Sequence, residues 1–227
     1  MDRKKGIFIK ELNNRFHCEV LVDGVPQECY VPSSSHLSNY LDLSGKEVFL
    51  REIQSPKSKS KYALQSLILS NGREIPLEMA ISNAIIEDEL NRRFFSFLGP
   101  RKNVRREMLI DGYKCDLYIQ ETNTIIEIKS ILTLEKHAVF PTVYSERAIQ
   151  QLHQLEILLS KGYRVCYIFV SLSPMATSVL INPHASEFAR AFQICKDKGM
   201  RFQACVIETR DGSSTIKRSI PITFEQT

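Results

Sequence analysis

Three side chains within fourteen positions carry the chemistry this sequence can do: Asp116, Glu127 and Lys129. They stand in two short apolar runs, Cys115-Asp116-Leu117-Tyr118-Ile119 and Ile125-Ile126-Glu127-Ile128-Lys129, separated by a polar turn. Side chains alternate along a strand, so Glu127 and Lys129 share one face while Ile126 and Ile128 share the other. If the two runs form a hairpin with Glu121-Thr122 at its tip, Asp116 falls opposite Glu127. Two carboxylates whose Cβ atoms lie ~5 Å apart repel unless something positive sits between them. Hard carboxylate oxygens suit Mg2+ or Mn2+. Lys129, one step along the same face, could orient or help deprotonate a metal-bound water, or neutralise a phosphate in a transition state. The competing reading makes Glu127 and Lys129 exposed charges on an edge strand, with Asp116 as their ordinary partner.

Elements on both sides must hold that hairpin. Ahead of it, Ile81, Ile85, Ile86, Leu90 and Phe94 recur at helical spacing, with Ser82 as the expected N-cap. After Gly99-Pro100 come three strand-like runs, 105–110, 115–120 and 124–131. Helices are expected over 146–159, closed by Lys161-Gly162, and over 186–198, closed by Gly199. Between them, 164–172 is apolar enough for a central strand, and 202–208 is a last one. Residues 1–70 read as β throughout, with short strands at 6–10, 15–22, 27–31, 46–53 and 62–69. Asp23-Gly24 is a hairpin signal, and Pro32-Ser33-Ser34-Ser35 and 55–61 are polar loops. Five short strands in about seventy residues suggest a small barrel, and an OB-type barrel is the commonest one that binds nucleic acid. The predicted order is five strands followed by α-β-β-β-α-β-α-β, a barrel and then an α/β sandwich.

Composition narrows the class. The chain has 227 residues, 43% hydrophobic and 25% charged, which excludes a disordered chain, a collagen and a simple disulfide scaffold. Net charge is +4, and it is spread evenly: residues 1–74 hold 11 basic and 9 acidic side chains, residues 75–227 hold 19 and 17. Positive charge gathers locally instead. Lys57, Lys59 and Lys61 alternate with serines, and Arg101, Lys102, Arg105 and Arg106 crowd six positions. Such clusters are either solvated surface or what a phosphate-binding groove needs. No apolar run approaches the ~20 residues of a membrane helix, and Ile7, Phe8 and Ile9 are too few for a signal peptide. A cytoplasmic protein is expected, with Cys18, Cys29, Cys115, Cys166, Cys195 and Cys205 as buried reduced thiols. The five histidines show no metal-ligand spacing.

A carboxylate, a gap, then Glu-x-Lys on a strand resembles the signature of the PD-(D/E)xK nucleases, with Cys115 where Pro is usual. The helix before the hairpin and the helix and strand after it match that core. Along nearly the whole chain the sequence also resembles the sugar fermentation stimulation protein A (SfsA) family. The shared positions are Arg15-Phe16, Asp23-Gly24 and Pro32, then Ser82-Asn83 leading into Ile85-Ile86-Glu87. Asp116, Glu127-Ile128-Lys129, Phe140-Pro141, Ser145-Glu146-Arg147, Pro183 and Phe188-Ala189 follow. The resemblance implies an OB-like domain over 1–73 and a restriction-endonuclease-like α-β-β-β-α-β domain over 74–227. It also implies nucleic-acid binding and metal-dependent nuclease activity, and it makes Glu87 a candidate metal ligand from the first helix. The chain departs from the family at Ser33-Ser34-Ser35, where Asn-Thr-Gly is usual. It departs again at Ala148, Gln150 and Gln151, where a Gly and a Lys-His pair are usual.

The resulting expectation is a metal-dependent nuclease. Asp116 and Glu127 hold Mg2+ or Mn2+ with the Ile128 carbonyl, and Lys129 serves the attacking water. DNA or RNA lies along Lys57, Lys59, Lys61, Arg101, Lys102, Arg105, Arg106 and Arg147. Arg147 opens a helix and could grip a phosphate bidentately, the alternative being an ion pair with Glu146 or a neighbour. The rival function is a DNA-binding regulatory protein of sugar metabolism whose nuclease-like site goes unused. The intact trio Asp116, Glu127 and Lys129 counts against that rival, and the basic clusters count against a protein-interaction module.

Overall fold

The computed structural model describes residues 3–33 and 35–224, and its first part is β but for one 3-10 turn at Leu37–Asn39. The strands are β1 (Arg3–Glu11), β2 (His17–Val22), β3 (Val25–Tyr30), β4 (Glu47–Glu52) and β5 (Tyr62–Ile68). β1 pairs antiparallel with β2 and β4, β2 with β3, and β4 with β5. β3 also pairs parallel with β5 through Cys29↔Tyr62 and Tyr30↔Ala63, so the pairings run in a ring, β1–β2–β3–β5–β4. Alternation builds its interior: Cys18, Val20 and Val22 on β2 are buried while their neighbours are half-exposed. All five expected strands form, and Ser34 of the serine loop lies outside the described residues. β6 (Glu74–Pro76) pairs with β5 on one side and with a strand of the second half on the other, through Thr209↔Glu74. One 12-stranded sheet therefore runs through a mixed α/β chain.

The second half begins with α1 (Ile81–Glu89). Ser82 is not its cap: Ala80 occupies that position, and the buried Ser82 hydroxyl accepts from Ser130 Oγ at 2.8 Å, fastening the helix to the sheet. The expected strand at 105–110 is broken. β7 (Val104–Arg106) stops where Glu107 takes a positive φ of 49°. β8 (Leu109–Ile110) then forms a separate hairpin with β9 (Tyr113–Lys114). Next come β10 (Leu117–Ile119), β11 (Thr124–Ile131), β12 (His137–Phe140) and α2 (Glu146–Ser160). They are followed by β13 (Arg164–Ser171), β14 (Ser178–Ile181), α3 (Ser186–Asp197), β15 (Arg201–Arg210), β16 (Ser213–Ile220) and β17 (Ile222–Phe224). Gly162 and Gly199, both at φ 91°, end α2 and α3 in the left-handed conformation that glycine adopts without strain.

β11, β13 and β15 run parallel in the centre of the sheet, β10 flanks β11 antiparallel, and β7 forms the edge. A small parallel sheet of β12, β14 and β17 was not visible in the sequence pattern. Strand β11 sorts the core. Ile126 and Ile128 join the apolar cluster shared by β1–β5 and α1, while Ile125 and Ile131 join the one packed against α2 and α3. Glu127 and Lys129 have the parity of that second face.

Candidate active site

The hairpin forms in the register expected. Leu117↔Ile126, Tyr118↔Ile125 and Ile119↔Thr124 pair β10 with β11, and the ladder stops there. Asp116 therefore lies just beyond the strand rather than in it. A buried backbone N–H must find a partner. Where the ladder has ended, the Ile128 N–H donates to Asp116 Oδ2 at 2.7 Å. The other oxygen, Oδ1, accepts from Asn83 Nδ2 of α1 at 3.0 Å. A fixed strand edge and a helix thus pin this carboxylate from two sides.

Glu127 is 2% exposed. Its Oε2 accepts from the Tyr113 hydroxyl on β9, and its Oε1 lies 2.5 Å from Lys129 Nζ. Burial pushes the Glu127 carboxyl above its ordinary pKa, Lys129 pulls it back, and the neighbouring Asp116 charge adds to the rise. Burial, and then Glu127, push the Tyr113 hydroxyl well up, which keeps it a proton-bearing donor. Lys129, with a side chain 17% exposed, also donates to Gln151 Oε1 on α2 at 2.7 Å. These groups open onto a cleft of about 560 Å3 that Asn83, Asp116, Glu127, Lys129, Arg147 and Gln151 line together.

Not every expected residue reaches this cleft. Glu87 sits four residues after Asn83, roughly 6 Å further along the helix. It forms an ion pair with Arg106 Nε at 3.2 Å and does not line the cleft, so the α1 side chain that touches Asp116 is Asn83. Arg101 has a structural role instead of a free guanidinium. It donates to the carbonyl of Leu90, the C-cap of α1, at 2.6 Å, and beyond the helix to those of Asn91 at 3.2 Å, Arg92 at 3.0 Å and Gly99 at 2.8 Å, tying down the chain that leaves α1. Lys102 and Arg105 are exposed, Arg105 on the edge strand β7. Lys57 and Lys59 are exposed in the loop before β5, and Lys61 lies 4.0 Å from Glu52. Arg147 is exposed on the first turn of α2, and its side chain makes no ion pair with Glu146 among the described residues. Ser145 caps that helix by accepting from Ala148 N at 3.2 Å.

Sequence patterning passed over Asn83, Tyr113 and Gln151 as parts of this site. Asn83 and Gln151 are ordinary polar residues on helices, and Tyr113 belongs to a two-residue strand. Among the described residues no group of three or more His, Cys, Asp and Glu side chains gathers. The oxygens that could hold a cation here are those of Asp116, Glu127 and the Ile128 carbonyl. The carbonyl fits because the N–H and C=O of one strand residue point to the same edge, and this N–H already meets Asp116. Hard oxygens around a carboxylate buried beside a second carboxylate suit a divalent cation, whose charge would relieve the repulsion.

Residues 80–213 match the family model described as the sugar fermentation stimulation protein RE domain. The chain is 28% identical to a sugar fermentation stimulation protein homolog of Ruminiclostridium cellulolyticum, over 96% of each chain. It is 26% identical to the homolog of Acetivibrio thermocellus, over 96% of this chain and 95% of the relative. The structure of Pyrococcus furiosus SfsA in complex with Ca2+ has the same fold, with a TM-score of 0.83 over 98% of this chain and 96% of that one, at 15% identity.

Proposed function

The chain belongs to the sugar fermentation stimulation protein family, and from that premise we propose that it is a divalent-metal-dependent nuclease that binds nucleic acid and hydrolyses phosphodiester bonds. One observation carries this reading. A carboxylate 2% exposed, Glu127, is held beside Asp116 with the Lys129 ammonium 2.5 Å away, at a cleft of about 560 Å3. Burying such a charge is costly without compensation, so the arrangement is more than an exposed edge of ion pairs.

Asp116, Glu127 and the Ile128 carbonyl are the groups that would hold Mg2+ or Mn2+, hard cations that take oxygen ligands. When bound, the cation would polarise the phosphoryl oxygens and lower the pKa of a water. Lys129 places a fixed positive charge where negative charge grows in the transition state. Tyr113 and Asn83 keep the two carboxylates aimed. Arg147 at the cleft, together with Lys102, Arg105, Lys57, Lys59 and Lys61, would neutralise phosphates. The ring of pairings β1–β2–β3–β5–β4 is the strand order of an OB-like barrel, so residues 1–73 are read as the nucleic-acid-binding part and 74–227 as the nuclease-like part. A cytoplasmic location goes with DNA or RNA as substrate.

Calorimetric titration with Mn2+ tests the metal. Wild type should bind, and Asp116→Ala and Glu127→Ala should each weaken binding strongly; unchanged binding in both removes these residues from the site. A second reading is a nucleic-acid-binding regulator with an unused nuclease-like site. It is favoured by the fact that all four oxygens of Asp116 and Glu127 already accept hydrogen bonds from protein donors. It predicts nucleic-acid affinity indifferent to Mn2+.

A further inference from the structure

Lys129 has two acceptors, and they differ in kind. Glu127 Oε1, at 2.5 Å, belongs to a carboxylate that the nuclease reading assigns to a cation. Gln151 Oε1, at 2.7 Å, belongs to a neutral amide on α2 that needs no cation. An ammonium and a metal ion repel each other, so sharing the same Glu127 oxygen at close range weakens the hold of both. We propose that Gln151 is a positioning residue: it holds the Lys129 ammonium beside the metal site when Glu127 turns its oxygen to the cation. The inference rests on the metal reading and deepens it.

The geometry suits that role. An ammonium has three donors and no acceptor, so it is the oxygen of the Gln151 amide that must face it. The helix that carries Gln151 is firmly seated. Ser145 caps its N-terminus, and Ala148, Leu152, Leu155 and Leu158 bury its inner face. Gln151 lies one turn after Arg147, and both line the cleft. A neutral acceptor holds the ammonium without adding a third negative charge beside Asp116 and Glu127. The Lys129 Nζ also stands 6.0 Å from the Tyr167 ring centroid, so the buried aromatic side of the site supports the same position.

The test is a double-mutant cycle read by Mn2+ calorimetry on the full chain: wild type, Gln151→Leu, Lys129→Met and the double variant, each checked for an unchanged melting profile. In Gln151→Leu the ammonium keeps Glu127 as its one hydrogen-bond acceptor and competes with the metal. Mn2+ affinity should then fall about tenfold, the scale of one hydrogen bond to a charged group. With Lys129→Met already present, Gln151→Leu should change affinity less than twofold, because there is no ammonium left to place. Gln151→Asn, whose amide falls one methylene short, should resemble Gln151→Leu, and Gln151→Glu should keep Lys129 in place and lose no more than about threefold. An equal loss in both lysine backgrounds would overturn the proposal, since it marks a packing role. No loss in either would overturn it as well. A wild type that binds no Mn2+ would instead bring down the metal reading on which the proposal stands.

Discussion

Glu127 is the buried carboxylate of the candidate site, and its titration is open to measurement. Its folded-state pKa is raised above the ordinary 4.5, chiefly by burial. The folded chain thus holds this proton more tightly than the unfolded chain does. The stability contributed is fully present below about pH 4.5 and is lost as pH rises through the higher folded value. Metal-free Glu127→Gln should therefore gain in melting temperature relative to wild type as pH rises from about 4 to 8, because the variant has no charge to bury. A difference that is flat or runs the other way would mean that Lys129 outweighs the burial. The trio Asp116, Glu127 and Lys129 was legible in the sequence because strand alternation alone puts the last two on one face. Asn83, Tyr113 and Gln151 were not, since their roles arise only when α1, β9 and α2 converge on β11.

Among elements, α1 and β7 show how one basic cluster splits into two jobs. Arg101 ties down the Leu90 cap of α1 and the turn that follows it, whereas Lys102 and Arg105 stay exposed. Arg101→Ala should cost about 1–3 kcal/mol in chemical denaturation, because it strips charged donors from several carbonyls at once. It should leave the salt dependence of nucleic-acid affinity unchanged. Lys102→Ala and Arg105→Ala should do the reverse: stability within about 0.5 kcal/mol of wild type, and a log affinity–log salt slope lowered by about 0.9 for each duplex-DNA phosphate that is no longer neutralised. Strand β11 was predicted to the residue, since eight residues bounded by a turn and buried on both faces leave little freedom. The sheet of β12, β14 and β17 escaped notice because strands of four, four and three residues are too short for alternation to register. Asp116 was expected within a strand, but the ladder ends at Leu117, and the freed Ile128 amide is what fixes the carboxylate.

At the scale of the molecule, β6 joins the first five strands to the central sheet, and the Arg3–Glu74 ion pair reinforces the junction. No helix among the described residues is long and apolar enough to cross a membrane. All six cysteines are buried and free, and burial pushes the thiols of Cys166, Cys195 and Cys205 up to about 12. A thiol reagent should therefore label none of the six in the folded protein and all six in denaturant; rapid labelling of any in the native state would contradict the packing. If nucleic acid is held by both halves, as proposed, replacing Lys57, Lys59 and Lys61 together by Ala should flatten the log affinity–log salt slope without abolishing it. The central claim, that the Asp116–Glu127–Lys129 site cleaves phosphodiesters, is tested most directly by a cleavage time course on labelled DNA and RNA with Mn2+. Wild type and Lys129→Met should be run beside binding titrations on the same preparations. Wild type should cleave, and Lys129→Met should bind nucleic acid almost normally but cleave at least ~100-fold more slowly, the scale set by losing one electrostatic stabiliser. Equal cleavage by both proteins, or none by wild type that binds well, would contradict the nuclease account and leave the regulator in its place.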